Sequence, residues 1–100
     1  MPGYIDPRDR ELAKMVVTYS VAAKKGDMVI INAVGEATLG LGAACVEECT
    51  KVGAAPYLVF DDPRVQANFI RDADEGTMKR LAEFEALQMK NADCYIGIRG

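Results

Sequence analysis

The sequence predicts an α/β fold, a Rossmann-like three-layer arrangement with a parallel sheet and helices on its faces, and three observations carry that prediction. Two short runs, Met28 to Ala33 (MVIINA) and Tyr57 to Phe60 (YLVF), are rich in β-branched and aromatic residues and almost free of polar alternation. That is the pattern of strands covered on both faces. Longer segments around them carry apolar residues at helical spacing. The order is helix, strand, helix, strand, helices, strand, and such alternation implies right-handed crossovers between parallel strands.

The first helix starts at Asp6-Pro7, where an aspartate can accept from free first-turn N–H groups and proline suits the first helical position. Leu12, Met15, Val16, Tyr19 and Ala23 recur at steps of three and four, an apolar stripe predicted to face the core. The helix is expected to run to Lys24-Lys25-Gly26, with cations at the negative end of its dipole and a glycine to close it. The first strand follows. A glycine-rich stretch, Ile31 to Ala44 (INAVGEATLGLGAA), then turns the chain into a second helix, from about Thr38 or Leu39 to Val52, stopped by Gly53. The second strand is halted by Asp61-Asp62-Pro63, with Asp62 as a helix cap. One helix, or two broken near Asp74 to Gly76, carries Met78, Leu81, Phe84 and Leu87 to about Asn91, and Cys94 to Ile98 (CYIGI) forms the third strand. Tyr57, Tyr95 and Met78 are expected in the core. Three strands make a small sheet, and it is expected to be incomplete at the C-terminus.

Composition narrows the function classes. The chain has 100 residues, half of them apolar, and a net charge of -3, which fits one globular domain of modest core. No basic cluster is present to attract nucleic acid or an anionic membrane, so neither is expected as a partner. The N-terminal stretch to Leu12 carries charges where a secretion signal would be apolar, and no run approaches a membrane span, so a cytoplasmic location is expected. The three cysteines, Cys45, Cys49 and Cys94, are read as reduced thiols, the first two as small buried side chains. There is no histidine, which removes Ser-His, Cys-His and His-metal constellations from these 100 residues.

The glycine-rich stretch is the strongest motif candidate. Gly40-Leu41-Gly42-Ala43-Ala44-Cys45 has the first two glycines of a dinucleotide fingerprint but Cys45 at the sixth place, and it begins too far past the strand to be the turn. A P-loop fails, because Leu41-Gly42 stand where lysine and a hydroxyl residue are required. Gly35 then serves as the turn, and the small residues let the helix lie close on the sheet. A small nucleotide- or anion-binding module using the Gly35 turn stays as the alternative reading. The paired acids Glu47-Glu48 are read as solvated charge. At the carboxyl end of the first strand, Asn32, Gly35 and Glu36 share a sheet edge with Arg99, and these four residues are the candidate rim of a cleft.

Taken together, "IDPRDRELAKMVVTYSVAAKKGDMVIINA" and "NADCYIGIRG" resemble the start of the thermophilic-type metalloaminopeptidases, the aminopeptidase T and aminopeptidase S family. The matching residues are Asp6, Pro7, Arg8, Leu12, Ala13, Tyr19, Ser20, Lys25, Gly26 and Asp27, then Asp93, Tyr95, Ile96 and Gly97. The resemblance implies a hydrolase about four times as long that removes N-terminal residues from peptides, using two divalent metal ions, zinc, cobalt or similar, to activate water. It implies a homodimer, and metal ligands in a C-terminal domain absent from this sequence. Residues 1–100 are then a single N-terminal α/β domain that walls the cleft, with peptide substrate reaching it through the other domain. No catalytic or metal-binding residue is assigned within it, and alone it is expected to be inactive.

Overall fold

The computed structural model describes residues 5–100; residues 1–4, which open the stretch in which no secretion signal is read, lie outside the described residues. Three strands, β1 (Met28–Val34), β2 (Ala55–Asp61) and β3 (Cys94–Arg99), form one parallel sheet in the order β2-β1-β3. The predicted α/β class holds. The order is the one with which flavodoxin-like sheets begin. β1 is central because it is the most apolar of the three, and its Val29, Ile30, Ile31 and Ala33 are all buried. The connections from β1 to β2 and from β2 to β3 run in opposite directions across the sheet, so a common right hand sets their helices on opposite faces.

One face carries α1 (Pro7–Met15) and α2 (Leu39–Lys51). Asp6 caps α1 as its sequence predicts: its carboxylate accepts from the Arg8 N–H (2.7 Å), and Asp9 accepts in turn from the Asp6 N–H (3.4 Å). α2 comes within touching distance of the sheet at Gly42, where a Cβ would stand 3.3 Å from Leu58 Cδ1 and 3.5 Å from the Ala33 methyl. The core lies here, with Val29, Ile31 and Ile96 from the sheet, Ala13 and Val17 from the first helical segment, and Ala44, Cys45 and Cys49 from α2. Both α2 cysteines are fully buried, as expected of small apolar side chains.

Two expectations about the first helix are corrected. It does not reach Lys24-Lys25-Gly26: α1 gives way to a π-helical turn, Val16–Ser20, and the chain reverses at Ala22, whose φ of +48° no helix accommodates. Lys24 to Asp27 form a separate tight turn, in which the Asp27 N–H donates to the Lys24 carbonyl (3.0 Å) and Gly26 takes a φ of +89°. The buried face is also shifted. Ala13 and Val17 dock on α2, whereas Leu12, Met15 and Tyr19 are exposed, Tyr19 by 79%. Small side chains allow the close helix contact, and the ion pair of Arg10 with Glu47 (2.6 Å) fixes the rotation. Glu47 and Glu48 are accordingly paired and not merely solvated, Glu48 with Lys51 at 2.7 Å.

The opposite face carries α3 (Pro63–Asp72) and α4 (Glu75–Lys90), separated by an extended Ala73. Asp62 and Asp74 cap them, accepting from the Arg64 N–H (2.8 Å) and the Thr77 N–H (2.7 Å). Neither helix contains a buried residue. Tyr57, Tyr95 and Met78, expected in the core, are exposed, the tyrosines by 44% and 46%. For the tyrosines the reason is topological: β2 and β3 are the sheet edges, so YLVF is a half-covered strand and not one buried on both faces. No helix among the described residues is long and apolar enough to cross a membrane.

Candidate functional site

The side chains of β1 alternate, so Ile30, Asn32 and Val34 point away from the core, toward α3 and α4. The parallel register extends each into a row: Tyr57, Ile30 and Tyr95; Val59, Asn32 and Gly97; Asp61, Val34 and Arg99. Against these rows Gln66 of α3 and Glu85, Gln88 and Met89 of α4 enclose a groove of about 440 Å³, within the usual range for a small-molecule site. Its floor at Ile30, Val34 and Val59 is apolar, and its walls are amide, carboxylate, phenol and guanidinium. The Tyr95 ring lies along the space left by Gly97, where a Cβ would sit 3.3 Å from Cε1.

Hydrogen bonds fix part of this lining. Asn32 Nδ2 donates to Asp61 Oδ2 (2.9 Å), which joins the central strand to its neighbour across the groove floor. Gln88 Nε2 reaches the Tyr57 hydroxyl at 3.5 Å, at the far end. Arg99 makes no ion pair among the described residues, and neither does Glu85. The groove therefore presents an unpaired cation from the sheet and an unpaired anion from α4.

Of the four predicted rim residues, Asn32 and Arg99 line this groove. Gly35 and Glu36 lie beside it, on the carboxyl edge. Gly35 has a φ of +96°, donates its N–H to the Asp61 carbonyl (2.9 Å) and opens a short 3₁₀ turn, Glu36–Thr38, before α2. The end of β3 packs over it: Gly100 donates to the Val34 carbonyl (3.0 Å), and its oxygen stands 3.7 Å from where a Gly35 Cβ would be. Glu36 turns outward to Arg64 (3.2 Å), which also binds Asp62. Asp62 is held down at about 2 by the Arg64 guanidinium and the Arg64 backbone N–H. An anion at this turn would meet Glu36, Asp61 and Asp62, the first and last of them already paired with Arg64.

Sequence reasoning missed Gln66, Glu85 and Gln88, because polar residues on a helix facing a sheet look like a solvent face. Tyr95 was read as core and Asp61 as a strand end. The available signal was Asn32, a single amide inside an otherwise apolar central strand.

Chemically the groove can bind and orient, and it contains no activated nucleophile. Burial pushes the Cys45 thiol up to about 12, with Cys49 and Glu48 adding to it, and raises Cys49 and Cys94 as well. These thiols lie on the core side of the sheet and are protonated at neutral pH. Among the described residues no three His, Cys, Asp or Glu side chains converge as a metal ion requires. The rim carboxylates are engaged by Asn32 and Arg64. No family model and no curated protein matches the chain.

Proposed function

We propose that the chain is the N-terminal α/β domain of a longer, cytoplasmic, metal-dependent aminopeptidase, walling the cleft while another domain holds the metals. The supporting observation is that several of the residues carrying the resemblance are scaffold residues. Asp6, Pro7 and Arg8 build a helix cap. Lys24 to Asp27 build the turn into β1. Asp93 clamps the start of β1, accepting from the Met28 N–H (2.8 Å) and donating its own N–H to the Met28 carbonyl (2.8 Å). Such a domain orients a cleft and leaves water activation to metal ions elsewhere. In this reading Asn32 and Arg99 face peptide at the carboxyl edge, and the full-length enzyme is a homodimer.

The test has two arms. Purified residues 1–100 with leucyl p-nitroanilide and cobalt or zinc should show no turnover, and metal-dependent turnover by this chain alone would refute the assignment. The coding DNA beyond Gly100 should continue in frame into a segment with histidines and carboxylates, and the protein expressed from it should turn over the same substrate. A stop codon directly after Gly100 would equally end the proposal.

A further inference from the structure

Three charged side chains line the groove between the sheet and α4, two carboxylates and one guanidinium: Asp61 of β2, Glu85 of α4 and Arg99 of β3. Arg99 and Glu85 make no ion pair among the described residues, and Asp61 engages the Asn32 amide through Oδ2. Asp61 and Arg99 end one row of the sheet with Val34 between them, so their Cα atoms stand two interstrand spacings, about 10 Å, apart. Gln88 meets Tyr57 in the row at the other end of the groove. Because α4 leads down to the start of β3, Glu85, three residues before Gln88, stands ~4.5 Å nearer the carboxyl edge. Between these charges the floor is apolar, and Met89 of α4 adds to it.

We propose that this groove binds a free α-amino acid with an apolar side chain. A simple anion would meet two carboxylates for one guanidinium, and a simple cation would leave Arg99 opposing it. A neutral sugar would leave both signs without a counter-charge. A zwitterion answers both. Its ammonium has three N–H donors, and three acceptors are at hand: Asp61, Glu85 and the side-chain oxygen of Asn32, whose amide N–H is turned to Asp61. Arg99 holds the carboxylate through two parallel N–H donors. The apolar side chain then lies along the groove on Ile30 and Met89. The span between Asp61 and Arg99 sets the ligand's length, since about 10 Å less two hydrogen bonds of ~3 Å leaves about 4 Å. That is the reach from ammonium to carboxylate within one amino acid, and a dipeptide is longer by ~3.5 Å. Such binding needs neither metal nor a second domain and is independent of the peptidase reading.

Titrating leucine into the 100-residue chain, with the Asn32 and Gly97 amide signals followed by NMR, tests it. Saturable shifts with a Kd of about 1 mM or tighter are expected. Leucinamide lacks the carboxylate and N-acetylleucine lacks the ammonium, so each should bind roughly tenfold more weakly or worse, and leucyl-leucine should also bind more weakly than leucine. Arg99→Gln should weaken leucine roughly tenfold without weakening leucinamide, and Glu85→Gln should weaken leucine without weakening N-acetylleucine. Both side chains are exposed, so both variants should fold, which circular dichroism checks. Should either fail to fold, the three analogues on the wild type decide the matter alone. A leucine Kd weaker than about 1 mM overturns the proposal. So does an analogue lacking one charge that binds as tightly as leucine, a dipeptide that binds more tightly, or leucine affinity unchanged in both folded variants.

Discussion

Gly35 shows how one residue can set the geometry of an edge. Its φ of +96° is reached readily only by glycine, and Gly100 closes the space beside it. A valine there would be strained in backbone and confined in side chain. Gly35→Val should lower unfolding stability by roughly 1–3 kcal/mol in a urea titration, and a variant as stable as the wild type would show that the turn tolerates another conformation. The sequence made this residue readable because it directly follows a strand. Gly42 was readable by count, since it stands too far beyond β1 to belong to the turn. Tyr57 and Tyr95 were not, because an aromatic residue in an apolar run looks the same whether its strand is central or at an edge.

At the scale of elements, boundaries follow local chemistry where caps set them. The start of α1 was legible from Asp6 and the start of α3 from Asp62 before Pro63, while the Asp74–Gly76 segment left one helix or two open and the structure has two. The end of the first helix was not, because Lys-Lys-Gly serves a helix terminus and a tight turn equally well, and the chain uses it for the turn. The three aspartate caps also make a common prediction. Arg8 holds Asp6 below the usual aspartate range through its side chain and N–H, Arg64 does the same for Asp62, and the Thr77 N–H and hydroxyl do so for Asp74. Because these folded-state values lie below that of an unfolded aspartate, about 3.9, the unfolded chain takes up protons first as pH falls. The stabilisation is therefore complete above about pH 4 and is lost as pH falls through the folded values, toward about 2 for Asp62. Urea midpoints should be nearly flat from neutral pH to about 5 and decline below 4. Replacing the three caps by asparagine, which caps nearly as well, should leave helicity at neutral pH close to wild type and flatten that decline. An equally steep acid transition in the triple variant would assign it to other carboxylates.

The whole molecule has one sealed side and one open side, and this asymmetry was hidden from sequence periodicity, which reports that a helix has an apolar stripe but not what the stripe meets. Every buried residue of the core belongs to the sheet, to the first helical segment with its preceding Ile5, to α2, or to Ala54 after it. α3 and α4 contribute none and cover the other face across a groove walled by Gln66, Glu85 and Gln88. Local stability tracks buried apolar contact, so the elements should open at different free energies. Hydrogen exchange on a dilute sample should protect β1 and α2 amides to nearly the global unfolding limit. Those of α3 and α4 should exchange far sooner, through local opening that leaves the sheet intact. Protection of α4 equal to that of β1 in the dilute sample would mean that the groove face is sealed by a dry core, and the two-sided description of the fold would have to be abandoned.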